Sequence, residues 1–218
     1  MAEIALGNEV RKRSRFSNSA FWVLIAGWFG VVLTLAANGF FRAPQGAPPL
    51  ALLVAVTAPI IVFLLSIWLS PTIREFALTR DLKLATAVQA WRLGGYNFLI
   101  LYAYGYLPGY FAWPAGLGDM FIGVTAPLVL AQMRSPNFIT SKSFARWNLL
   151  GILDLVVAVS MGAIGSLLFG TGTFQTTPMA QLPLVLIPTF FVPMFVILHL
   201  VALMQARRIK TGNATFLD

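Results

Sequence analysis

Apolar residues in this chain come in long, nearly unbroken runs, with neither the alternation of a half-buried strand nor the narrow stripe of a surface helix. A membrane-spanning helix needs about 20 mainly apolar residues, and six runs qualify, at 21–40, 50–69, 84–107, 113–133, 146–169 and 182–204. The segments between them, such as "FRAPQGAPPL", "GYLPGYF" and "RSPNFITSK", carry the Pro, Gly and polar residues of connections. Solidly apolar spans argue against a β-barrel, whose strands alternate. The pattern therefore predicts an all-α integral membrane protein. It would be a six-helix bundle forming one domain over 20–206, with a basic segment at 1–19 and a tail at 207–218.

Composition supports this reading. Of 218 residues, 58% are hydrophobic and only 10% charged, with a mean hydropathy of +0.81. A soluble domain carries about 25% charged residues. The net charge of +8 raises nucleic acid as a partner, but the positions of the charges dismiss it. Thirteen of the fifteen Lys and Arg residues fall in the N-terminal segment, the second and fourth connections, or the C-terminal end. Only Arg42, in the first connection, and Arg92, inside the third span, stand elsewhere. Basic residues collect in cytoplasmic loops, so both termini are expected in the cytoplasm of a multi-pass inner-membrane protein. Anionic lipid headgroups would meet these loops. The first apolar run is about 20 residues, longer than the 7–15 of a signal h-region, and predicts an uncleaved helix. No cysteine is present, which excludes disulfides and thiolate chemistry.

The informative residues are the polar ones inside the spans: Gln89, Arg92 and Asn97 in the third, Asp119 in the fourth, Asn148 and Asp154 in the fifth, and His199 in the sixth. Intramembrane ionisable groups are rare and usually paired or turned towards a cavity. Counted from each span's centre, Arg92 lies roughly 6 Å, Asp154 roughly 4 Å and His199 roughly 9 Å to the cytoplasmic side of the midplane, with Asp119 roughly 6 Å to the outer side. Arg92 and Asp154 are the expected partners, with His199, Gln89 and Asn148 in the same inner layer. Asp119 is expected to stand apart as a protonated carboxyl with no cation near it.

Small residues flank both acids at helical steps: Gly116, Gly123 and Ala126 around Asp119, and Gly151, Ala158, Gly162 and Gly165 around Asp154. Such faces let membrane helices approach closely, so both acids should point into the bundle. Pro188 and Pro193 can kink the sixth span and make it a gate. The five tyrosines between Tyr96 and Tyr110 fit an outer aromatic belt better than a cation cage.

Specific chemistries fare less well. No lysine lies inside a span to hold retinal, and one histidine cannot supply a bis-histidine haem. Asp119, Asp154 and His199 are suitable metal ligand types, but the estimated separation of over 10 Å argues against their meeting. No cofactor and no metal site are expected, and the lack of a nucleophile motif weighs against an enzyme. The favoured reading is transport or permeation of a small solute or proton through a polar cavity between spans three and six. Gln89, Arg92, Asn97, Asp119, Asn148, Asp154 and His199 would serve as binding or relay groups. The chain is small for a transporter, so a homo-oligomer is an expectation. The alternatives are an accessory subunit whose buried polar groups specify packing, and an intramembrane enzyme or cofactor protein using Asp154 and His199.

Overall fold

The computed structural model describes residues 2–44, 47–168 and 176–212; over these the chain is helical, with no strand. Residues 169 and 213–218 of the expected fifth span and tail, and the side chains of Arg11, Lys12, Arg13 and Arg15, lie outside this description. In order, the elements are α1 (Ala2–Ala37), α2 (Leu50–Leu69), α3 (Pro71–Leu78), α4 (Leu82–Val88), a 3-10 segment (Gln89–Gly95) and α5 (Tyr96–Ala103). There follow α6 (Gly109–Gln132), α7 (Pro136–Ile139), α8 (Lys142–Leu168), a 3-10 turn (Thr177–Ala180), a π-helical turn (Ile187–Phe191) and α9 (Val192–Lys210).

Among the described residues, five helices are long and apolar enough to cross a membrane: Ser19–Ala37, Leu50–Leu69, Gly109–Gln132, Lys142–Gly165 and Ile187–Lys210. Their outer faces are apolar. Trp22, Leu24, Val54, Val62, Leu128 and Leu153 are each more than half exposed, a surface suited to lipid rather than water.

The expected third span is not a single helix. It is three short pieces of seven, seven and eight residues, with the 3-10 segment in the middle. A 3-10 helix repeats every three residues, so side chains three apart stand in line. Gln89, Arg92 and Gly95 do so, and they are the segment's three buried residues. The next element departs from expectation at its start. Over 182–185 the chain makes turns, and the last long helix runs from Ile187 to Lys210 instead of over 182–204. Pro183, Pro188 and Pro193 explain the delay, since each lacks the N–H a helix needs. Pro193 cannot bond back to Thr189, and the ladder passes through a π turn in which the Val192 N–H donates to the Ile187 carbonyl.

The connections carrying most of the basic residues gather at one end. There Phe21 of α1 packs on Phe76 of α3, Gln205 of α9 donates to the carbonyls of Ala77 and Arg80, and Arg208 pairs with Glu75 at 2.8 Å. Met133, Ile139 and Phe144, fully buried, seal this end together with Leu82 and Ala206. At the opposite end Phe41, Leu107, Phe111 and Met179 pack beneath the other connections.

Candidate functional site

Arg92 occupies the centre of the 3-10 segment, and its side chain is wholly buried. Its Nε donates to Asp119 Oδ1 of α6 at 2.7 Å, and its Nη2 donates to Asp154 Oδ2 of α8. Its Nη1 donates to the Gly151 carbonyl at 3.1 Å and lies 3.2 Å from His199 Nε2 of α9. One guanidinium thus ties three helices to the broken element.

This bond set also fixes the histidine. Arginine has donors only, so His199 Nε2 must be the accepting nitrogen, and the proton sits on Nδ1. Nδ1 lies 2.9 Å from Asn148 Oδ1, to which it donates, while Asn148 Nδ2 donates to the Phe144 carbonyl at 2.9 Å. The amide and the ring therefore orient each other. Trp147, edge-on 5.5 Å from the imidazole, is held in turn by its Nε1 donating to Thr125 Oγ1. Both ring nitrogens are engaged, so ligation of a metal by His199 would require breaking one of these bonds.

The expected Arg92–Asp154 pair is present, but Asp119 does not stand apart. It shares the same guanidinium, and the picture of a lone carboxyl with no cation near it gives way. The depth ladder fails for a physical reason. With the helices where they fold, Asp119, Asp154 and His199 each fall within two residues of the middle of a 24-residue helix. The ionisable groups form one layer, not two. The separation that argued against Asp119 meeting His199 disappears, because both bond to Arg92.

Two other candidates are placed differently. Asn97 is exposed and its amide bonds only to the Gly94 carbonyl, so it lies outside the network. Gln89 is buried; its Nε2 donates to the Phe195 carbonyl at 3.4 Å, and its Oε1 has no partner among the described residues. Pro188 lines a cleft described below, and Pro193 is fully buried at the start of α9.

Glycines make the assembly possible. A Cβ on Gly118 would strike the Asp154 carboxylate, and one on Gly151 would strike the His199 ring. A Cβ on Gly123 would come within 2.8 Å of Leu93 Cα and 2.9 Å of the Arg92 carbonyl carbon, which are backbone and cannot yield. α6 therefore lies against the 3-10 backbone itself. The i, i+3 run Gln89, Arg92, Gly95 is a signal of three-residue period that hydropathy over a longer window averages away.

From the end opposite the basic connections, a partly open cleft of about 200 Å³ reaches into the bundle. Phe41, Phe98, Phe111, Leu155, Val159 and Ile187 give it apolar walls, and Asp119 is the only ionisable residue that lines it among the described residues. Thr176, at its rim, donates its hydroxyl to the Gly162 carbonyl at 2.9 Å. The acids keep a little exposure, 15% for the Asp119 side chain and 13% for Asp154, against none for Arg92.

Apolar exteriors, five long helices and buried charge define a multi-pass helical membrane protein with an ionic network in its core. Residues 49–207 match a family described as a domain of unknown function, DUF8737, and the chain belongs to that family. The match contains every residue of the network and excludes all of α1. No curated protein and no solved structure matches the chain.

Proposed function

We propose that this protein is an inner-membrane carrier for a small solute, with six crossings and both termini cytoplasmic. The broken element, third in chain order, is the crossing added to the five long helices. At 1.5 Å per residue for its α parts and 2.0 Å for its 3-10 part, residues 82–103 extend about 36 Å, enough for a hydrocarbon core of about 30 Å. Reporter fusions after Arg15 and at Asp218 should both report the cytoplasm, and a fusion at Ala47 the outside; a cytoplasmic signal at Ala47 refutes the topology.

The observation that carries the carrier reading is Asp119. A carboxylate at mid-membrane closes a cleft open towards one face, and it is bonded to a guanidinium that reaches Asp154 and His199. Carriers build sites of this kind where a spanning helix is interrupted, because interrupted backbone is tolerated only where protein or a water-lined cavity satisfies it. The sealed basic end and open opposite end correspond to an outward-facing state. Pro188 and Pro193, at the π turn beside the cleft, would be the hinge, and a second copy of the chain would stand beside the first. Liposomes containing the protein and a trapped pH dye, challenged with small amines, carboxylates and neutral solutes, test the idea. At least one class should drive an internal pH change that Asp119→Asn abolishes. Silence towards every class, with no uptake, rejects the reading.

A second reading has its own support. Arg92 is so fully bonded that the network could serve packing alone, as in an accessory subunit. Solute-driven flux separates the two.

A further inference from the structure

The charges in the core do not cancel. The ionisable groups around Asp119 are Arg92 from the 3-10 segment, Asp154 from α8 and His199 from α9, which is neutral because Arg92 donates to its Nε2. The linings contributed by α5 and by the two connections above the cleft add no charge. Two carboxylates thus share one guanidinium, leaving one negative charge in a site of low polarity. A buried uncompensated charge is costly and is neutralised by a proton or by a cation that can reach it.

Asp119 is reached from the cleft that it lines. Asp119 Oδ1 takes the Arg92 bond, and Oδ2 has no hydrogen bond among the described residues. Apart from Thr176 and Thr177, the side chains above are apolar, so a metal ion finds no second carboxylate or imidazole there among the described residues. A cavity of about 150 Å³ holds benzene, so one of about 200 Å³ has room for an aromatic ring bearing a short amine. Phenylalanine rings also favour a cation over a neutral head.

We propose that the cleft binds a small organic monocation, a protonated amine with an apolar body, whose ammonium group pairs with Asp119 in exchange for a proton. This rests on the carrier reading for its biological use but not for its chemistry. The balance is simple. The site at rest holds one proton on the carboxylate pair; the ammonium arrives with its charge, and the proton leaves to water through the cleft, with no covalent change.

The test uses the full chain in lipid nanodiscs, with empty nanodiscs as the blank, and isothermal titration of three matched probes: benzylammonium, benzyl alcohol and benzoate. Benzylammonium should bind saturably at least tenfold more tightly than benzyl alcohol, with benzoate not binding. Titrations in buffers of different ionisation enthalpy at pH 7 should show about one proton released per cation bound. Asp119→Asn should weaken benzylammonium at least tenfold while leaving benzyl alcohol unchanged. Ala158→Phe, which fills the cleft from its wall, should remove both. Equal binding of the amine and the alcohol overturns the proposal, as does amine binding that survives either substitution or releases no proton. The wild-type probe series alone decides the matter if a variant fails to fold. Amine binding without solute-driven flux would keep this inference and remove the carrier reading. Flux driven by uncharged or anionic solutes, with no amine binding, would do the reverse.

Discussion

The shared guanidinium makes an unusual demand on mutants of the two acids. If Arg92 and Asp154 were an exclusive pair, replacing Asp154 would strand a buried arginine, at about 3–5 kcal/mol. In this structure Asp154→Asn leaves Arg92 matched by Asp119 at 2.7 Å, one charge against one. The loss is the charge on one hydrogen bond, worth about 1.5–3 kcal/mol. The gain is that no carboxylate need be neutralised. At pH 7 that neutralisation costs about 4 kcal/mol for an ordinary carboxylate, at 1.36 kcal/mol per pH unit. The gain exceeds the loss by about 1–2.5 kcal/mol, so Asp154→Asn and Asp119→Asn should each be at least as stable as wild type. The double variant Asp119→Asn/Asp154→Asn strands the arginine and should lose about 3–5 kcal/mol. Each acid is dispensable alone and required jointly, a coupling well above the few tenths expected of independent sites. Equilibrium unfolding in mixed micelles, followed by tryptophan fluorescence, gives all three values. If Asp154→Asn alone costs the full amount and the second substitution adds nothing, Asp119 is a bystander and the charge count is wrong.

Other consequences can be checked separately. Gly123→Ala should destabilise by about 1–3 kcal/mol, the usual cost of overpacking, because its methyl meets the 3-10 backbone. Gly94→Ala, in the same segment but with nothing within 4 Å of its added carbon, should be close to neutral; equal losses at both would deny the close approach. His199 is the only histidine, so its nitrogen-15 spectrum is free of overlap. It should show a neutral ring protonated at Nδ1 at pH 7, and Asn148→Leu should disturb that tautomer; a proton on Nε2 would break the assigned chain of bonds.

Much of the architecture was legible in hydropathy, because lipid demands long apolar runs whatever the packing. Four of the six runs became long helices nearly where expected: the second coincides with its helix, and the other three helices start two to four residues early. The sixth was displaced further, since Pro183 and Pro188 hold residues 182–185 in turns although they are as apolar as the helix that follows. That shift matters more for the site than for the fold. Depth estimated from a span's centre inherits every error in its ends, and an error of four or five residues is roughly 6–8 Å. The meeting of Arg92 with Asp154 survived this because both estimates erred in the same direction. Asp119 and His199 erred in opposite directions, so the estimate pulled them out of the layer they share. Asn97 was grouped with the network only as a polar residue of the same run, and polarity alone does not say which side of the element a residue occupies.

The break and the charge explain each other. A 3-10 helix has poorer hydrogen bonds than an α-helix and seldom runs beyond three or four residues, yet seven are found here. What the backbone loses, Arg92 offsets through bonds to two carboxylates, a carbonyl and an imidazole on three neighbouring helices. The dependence also runs the other way. Only a segment of three-residue period puts Gln89, Arg92 and Gly95 in one line, with the arginine aimed into the core and the glycine letting Asp119 pass close beside it. Wind the segment into an α-helix and each third residue rotates about 60° from its predecessor, carrying Gln89 and Gly95 to opposite sides of Arg92. A cation that draws Asp119 away from Arg92 would therefore loosen the element least able to hold its own shape, which is how occupancy of the cleft could be felt across the bundle.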